Sequence, residues 1–132
     1  LLNKGETFTF ETVMSHSSKI DFLRESKETG FKNYLYFICT ADPQINISRV
    51  HQRVELGGHP VPDSRIIKRY HESLKVLPEI IPLCHRVFLF DNSTEERSIE
   101  PVAEIDSSKR FIVRTENIPW WVEEFVINTF YK

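Results

Sequence analysis

Hydrophobic and polar positions change period several times along the 132 residues, and each change marks an element. From Thr7 to Val13 (TFTFETV), β-branched and aromatic residues alternate with polar ones, the twofold period of a strand. In the following SHSSKIDFLRESKETG, Ser17 or Ser18 can cap a helix with the apolar stripe Ile20, Phe22 and Leu23. Gly30 stands where a C-cap glycine belongs. The run FKNYLYFICT (Phe31 to Thr40) is too continuously apolar for a half-exposed strand, which predicts a central strand covered on both faces. Asp42-Pro43 then opens a second helix carrying Ile45, Ile47, Val50 and Val54, with proline in its first turn.

After the loop GGHPVP, a third helix is predicted from Asp63 to Glu79, with Ile66, Ile67, Tyr70, Leu74 and Leu77 on its buried stripe. HRVFLFDNS (His85 to Ser93) reads as another buried strand ending in a polar turn. This order, β-α-β-α-α-β, predicts a parallel α/β sheet flanked by helices. Beyond it the pattern changes. Pro101 to Ile105 and Arg110 to Arg114 suit two strands of a hairpin, and PWWVEEFVINTFYK suits a last amphipathic helix with Trp120 or Trp121, Phe125 and Val126 inward. The division expected is a core over residues 1–93 with a lid at about 49–72, and a hairpin and helix over 94–132 packed on the same domain.

Length and composition fit one folded domain with one core. A net charge of −2 offers nothing to nucleic acid or to a membrane in general. No apolar run approaches a membrane span and no signal peptide opens the chain, so a cytoplasmic location is expected. Cys39 and Cys84, the two cysteines, both sit in apolar segments and read as buried, reduced thiols. The chain opens Leu1-Leu2. Leucine is too large to be exposed by ordinary removal of an initiator methionine, so further residues are expected upstream.

Ligands of open parallel sheets sit at the carboxyl ends of the strands. That rule selects Glu11-Thr12, Thr40 to Asp42, and Asp91 to Ser93. Glu11 is either a carboxylate holding a polar substrate, with Thr12, Ser15 and His16 beside it, or a solvated strand-end residue. On the third helix Arg65, Arg69 and Glu72 share one face, opposite the apolar stripe. Arg49 and Arg53 repeat the i, i+4 spacing before the loop. These pairs are either forked donors for phosphate oxygens or solvated helix faces. The histidines are scattered and do not suggest a metal site. His59, inside the loop, is the one retained as a candidate. The aromatic run around Tyr34 to Phe37 and the Trp120-Trp121 pair read as core rather than as base-stacking platforms.

Taken in order, GETFTFETVMSH, YLYFICTADPQINISRV, RVELGGHPVPDSRIIKRYHESL and FLFDNS resemble the zeta-toxin-like P-loop kinase family, in the branch called predicted ABC-type ATPases. The resemblance covers about Gly5 to Ser93. It implies a P-loop-kinase-like parallel sheet, ATP and Mg²⁺ as cosubstrates, and phosphoryl transfer to a small acceptor hydroxyl, such as that of a nucleotide sugar. By the same resemblance Glu11 and Thr12 hold the acceptor, with Ser15, His16 and His59 as further substrate contacts. Arg53 and Arg69 become the catalytic cations of the lid, and Arg65 a cofactor contact. The chain departs from the family in one large respect. Its four glycines lie outside any GxxxxGK[ST] pattern, so the phosphate loop is missing, as is the Asp-containing segment that supplies the base. A chain lacking both is not expected to transfer phosphate by itself. An antitoxin, or a second copy at an exposed sheet edge, is the partner expected besides the small-molecule acceptor. The alternative reading is a non-catalytic interaction or dimerisation module. A nucleic-acid binder using the basic helix is disfavoured by Glu72 and Glu79 within it.

Overall fold

The computed structural model describes residues 17–94 and 99–131. The strand expected at Thr7 to Val13 lies outside the described residues. The first described helix, α1 (Ser17–Glu28), ends as its glycine predicts. Gly30 adopts φ +99°, its N–H bonds the Lys27 carbonyl at 3.1 Å, and the Phe31 N–H reaches back to Ser26 at 3.0 Å. Strand β1 (Tyr34–Cys39) follows, then α2 (Pro43–Glu55). Asp42 caps α2 by accepting from the Gln44 N–H at 2.8 Å, and Pro43 occupies the first turn, where its missing N–H costs nothing.

Helix α3 (Asp63–Ile80) buries Ile66, Tyr70, Leu74, Leu77 and Ile80, a stripe at three- and four-residue spacing. Ile67, expected in that stripe, is only half-buried because it lies one step round the helix. A 3₁₀ turn (Ile81–Leu83) leads into β2 (Arg86–Asp91). Strands β3 (Glu100–Ile105) and β4 (Phe111–Val113) form the expected hairpin. The described strands make one sheet in the order β1-β2-β3-β4. β1 and β2 run parallel, from Tyr34 opposite Arg86 to Cys39 opposite Asp91. β3 and β4 are antiparallel, so the sheet is mixed rather than wholly parallel, and the hairpin extends it instead of packing beside it.

Among the described residues the sheet is covered on one face. Leu35, Phe37, Cys39, Val87, Leu89, Ala103 and Ile105 share one core with Ile20 and Leu23 of α1 and with the α3 stripe. Trp121, Val122 and Val126 of the C-terminal helical segment complete it. The expectation that β1 is covered on both faces is therefore corrected. Tyr36 is 58% and Ile38 51% exposed, and the strand alternates as a half-buried one does. Aromatic residues on the outer face disguise that alternation in the sequence. Tyr36 stacks on Phe88 at 4.9 Å between ring centroids and approaches Phe90, so the outer face carries its own aromatic row.

The last element is helical but irregular. A short α-helical turn (Trp120–Val122) passes into a π-helical segment (Glu123–Ile127) and back to α-helix (Asn128–Phe130). The wider turn keeps Trp121, Val122 and Val126 inward together, with Phe125 half-buried. The inward tryptophan is Trp121, and Trp120 stays 43% exposed. None of the described helices is long and apolar enough to cross a membrane.

Candidate functional site

Two of the three places selected by the strand-end rule come together. The N–H of Ala41, just past β1, donates to the Ser93 hydroxyl at 2.8 Å, and the Asn92 N–H donates to the Cys39 carbonyl at 2.9 Å. Thr40 is buried in this seam. Its hydroxyl bonds the Asn46 side chain at 2.5 Å and the Asp42 carbonyl at 3.1 Å, and its own carbonyl accepts from the Tyr70 hydroxyl at 2.6 Å. Asp91 accepts from the Ser93 N–H and, through its other oxygen, from the Trp121 indole, both at 3.0 Å. Trp120 donates its indole N–H to the Ala41 carbonyl at 2.7 Å. The carboxyl ends of β1 and β2 thus form a tied platform.

This platform holds groups in their neutral forms. Burial pushes the Cys39 thiol up to about 12, opposed by a hydrogen bond from Tyr70. Burial also raises the Tyr70 hydroxyl, with Cys39 adding to it. Neither is ionised near neutral pH, so the platform offers hydrogen-bonding shape rather than a nucleophile. Two side-chain atoms beside it, Asn92 Oδ1 and Thr94 Oγ1, are buried without a hydrogen-bond partner. Such atoms are rare in folded proteins and leave acceptor and donor capacity unspent at this end of the sheet.

Above the platform, α2 and α3 form a helical hairpin joined by GGHPVP. Both glycines are required by the turn. Gly57 takes φ +97° and bonds the Val54 carbonyl, while the Gly58 N–H reaches the Arg53 carbonyl at 2.7 Å. A Cβ on Gly58 would stand 2.8 Å from that same carbonyl oxygen. His51 Nε2 closes the hairpin against the Asp63 carboxylate at 2.9 Å. A shallow cavity of about 350 Å³ lies under the loop, lined by Val50, His51, Val54, Glu55, Pro60 and Val61. Residues 49–72 carry five Arg or Lys against three Asp or Glu, a positive surplus in a chain of net charge −2.

The four arginines of the hairpin are not equivalent. Arg49 is spent: its guanidinium donates to the Asn92 carbonyl at 2.6 Å and the Thr94 carbonyl at 2.9 Å, locking α2 onto the end of β2. Its sequence pairing with Arg53 as a second phosphate fork is thereby corrected. Arg53 is exposed, and its Nε folds back to the Arg49 carbonyl at 3.4 Å, leaving the terminal nitrogens outward. Arg65 and Arg69 are exposed on α3, and neither side chain takes part in an ion pair or hydrogen bond among the described residues. His59 is exposed at the tip of the loop. Glu11, Thr12, Ser15 and His16 lie outside the described residues. Sequence reasoning did not select Tyr70, Asn46, Trp120 or Trp121. The available signal was that an indole or phenol in a core must find a partner, and the strand-end Asp91 offered one.

No group of three His, Cys, Asp or Glu among the described residues could hold a metal ion. Three of the four glycines are helix terminators, Gly30, Gly57 and Gly58, so none of these cradles a phosphate as a P-loop glycine does.

Comparison with known proteins places little beside this chain. No protein-family model matches it. An uncharacterized protein of Haemophilus influenzae (strain Rd) is 33% identical over 63 residues, which is 48% of this chain and 45% of that protein. The chain therefore spans less than half the length of the curated relative it matches. No solved structure matches it.

Proposed function

We propose that this chain is the acceptor side and lid of a zeta-toxin-like small-molecule kinase, binding a phosphate-bearing acceptor such as a nucleotide sugar. The observation that carries this reading is the division of labour among the hairpin arginines. Arg49 anchors the lid, while Arg53, Arg65 and Arg69 are left facing solvent without carboxylate partners. Cations that stabilise a surface helix are commonly paired at i, i+4, and these are not. A hairpin set by two glycines and closed by His51 and Asp63 can present its forked donors in one orientation, which suits a bidentate phosphate contact. In this reading Arg53 and Arg69 contact the transferring phosphate, Arg65 assists on the cofactor side, and His59 donates from the loop tip. Glu11, Thr12, Ser15 and His16 complete the acceptor contacts. ATP and Mg²⁺ belong to the reaction of the whole family; the sequence carries no GxxxxGK[ST] loop to cradle them, and in this reading the chain alone transfers no phosphate.

Isothermal titration of a nucleoside-diphosphate sugar into the protein tests this. Binding weakened about tenfold by Arg69→Ala, and similarly by Arg53→Ala, is expected, since a charge-assisted contact contributes about 1.5–3 kcal/mol. Binding that both substitutions leave unchanged, or no binding by the wild type, defeats the reading.

A second reading, an interaction module, is favoured by the outer face of the sheet. Among the described residues β1 is an edge strand, and Tyr36 and Ile38 next to that edge are more than half exposed. Edge pairing with a second copy would cover both. Sedimentation showing a dimer that Tyr36→Asp converts to monomer supports this; a wild type that is monomeric at high micromolar concentration removes it.

A further inference from the structure

The opposite end of the sheet carries a cavity that the proposed kinase role does not use. It has a volume of about 210 Å³ and lies where β1 and β2 begin and the β3–β4 turn closes. Lys27 of α1, Lys32 before β1 and Lys109 of the turn converge on it, with Asn33, His85 and Ser107 beside them. Among the described residues no carboxylate lines it.

Its floor is rigid. Asn33 is buried, and its amide donates to the Leu23 carbonyl at 3.1 Å and the Leu83 carbonyl at 2.8 Å while its oxygen accepts from the Ser26 hydroxyl at 2.9 Å. The His85 N–H bonds the Asn33 carbonyl at 2.6 Å. Three segments of chain are thereby fixed to one another under the cavity.

Two of the ammonium groups are held in place by this frame. Lys27 Nζ donates to the Pro82 carbonyl at 3.0 Å, and Lys109 Nζ donates to the Cys84 carbonyl at 2.7 Å, two residues further on. Lys109 does so from a backbone at φ +66°, a conformation rare for a residue with a side chain. An ammonium has three N–H donors, so each retains two after these bonds. None of the ion pairs among the described residues involves Lys27, Lys32 or Lys109. Asp106, the nearest acid in the turn, is already engaged by the Arg110 guanidinium at 2.9 Å and by the N–H groups of Ser108 and Arg110.

The geometry points to an anion site at this end of the sheet that takes inorganic phosphate or a small phosphomonoester, held by Lys27, Lys32 and Lys109. Three like charges brought together without a counter-charge repel one another, and a multiply charged anion removes that cost. Drug-sized ligands occupy about 300–1,000 Å³, so this smaller cavity suits a phosphate group rather than a nucleotide. Lysines act as point charges rather than planar forks, so the site selects by charge more than by shape.

The test is a titration of the full chain with inorganic phosphate and with pyrophosphate, at constant ionic strength set by chloride, read by calorimetry and melting temperature. Saturable binding is expected, weakened about fivefold by Lys32→Gln, as one exposed cation contributes about 1 kcal/mol or less. Among the described residues the Lys32 side chain makes no ion pair or hydrogen bond, so this substitution is expected to leave stability unchanged and to remove only charge. Lys109→Gln is expected to act in the same direction, and Lys75→Gln, at an exposed cation of α3 outside both sites, to leave phosphate binding as it was. Absence of saturable binding overturns the site. So does binding that Arg69→Ala abolishes and Lys32→Gln does not, because it assigns the anion to the lid. Conversely, failure of nucleotide-sugar binding with phosphate binding intact removes the kinase reading and leaves this site standing.

Discussion

The carboxylate of Asp91, at the end of β2, accepts the indole N–H of Trp121 at 3.0 Å. The pair joins residues 30 positions apart and closes the core beneath the candidate site. Trp121 is wholly buried and packs its ring against Phe37. Trp121→Phe is expected to lower stability by about 1–3 kcal/mol, the cost of losing a hydrogen bond to the half-buried Asp91 carboxylate. Trp121→Ala should lower it by about 3–5 kcal/mol, because a cavity is added. Urea denaturation followed by circular dichroism measures both. A smaller loss for alanine than for phenylalanine would show that the segment repacks without its tryptophan.

Arg49 and Arg69 should separate stability from binding. Arg49→Ala removes two charge-assisted bonds to the carbonyls of Asn92 and Thr94, a loss of about 1.5–3 kcal/mol per bond at most. Arg69→Ala touches no described partner and should fall within about 0.5 kcal/mol of wild type. Melting curves of the two variants, set beside their titrations with a nucleotide sugar, give the comparison. Equal melting temperatures would mean that the lid is not anchored through Arg49.

Stability should decline in alkali because of the cysteines. Burial pushes both Cys39 and Cys84 from 9.0 up to about 12. Below pH 9 the thiol is protonated in folded and unfolded chains alike, so the full stability is present. Above it the unfolded chain releases the proton and the folded chain keeps it, so stability falls as pH rises from 9 towards 12. The slope is about 1.4 kcal/mol per pH unit for each protected thiol. Urea midpoints at pH 8 and pH 10 for wild type and a Cys39→Ala/Cys84→Ala variant test this. The wild type should lose more between the two pH values than the variant. Parallel losses would mean that the thiols ionise in the native state.

The glycine pair of the lid loop should tolerate substitution poorly, for two different reasons. Gly57→Ala places a side chain at φ +97°, costing roughly 1–2 kcal/mol. Gly58→Ala meets the Arg53 carbonyl oxygen at 2.8 Å and must shift the end of α2. Gly57→Asn, which accepts left-handed geometry more readily, should recover part of the loss while Gly58→Asn should not. Calorimetric melting temperatures distinguish the two cases.

Much of the local structure was legible in the residues. The cap of α2 by Asp42 and Pro43, the end of α1 at Gly30, the stripe of α3 and the hairpin all rest on partners within a few positions in sequence. Covering of the sheet was not legible, because FKNYLYFICT carries aromatic residues on both faces and only packing shows which face meets helices. Sequence spacing placed Arg49 and Arg53 in one pair, yet the structure gives them opposite fates. Spacing reports which residues share a helix face, not what that face meets.

The chain by itself determined helices α1 to α3, strands β1 to β4 and the turn at GGHPVP, since these depend on backbone preferences and caps that act over one turn. Tertiary structure alone decided that Arg49 would be an anchor, that Trp121 would sit on Asp91, and that three lysines would meet at the far end of the sheet. Those outcomes depend on contacts 43, 30 and 25 residues apart, as in Arg49 to Asn92, Trp121 to Asp91 and Lys109 to Cys84. No local preference encodes such distances; they follow from how the helices and the hairpin pack on one face of a mixed sheet.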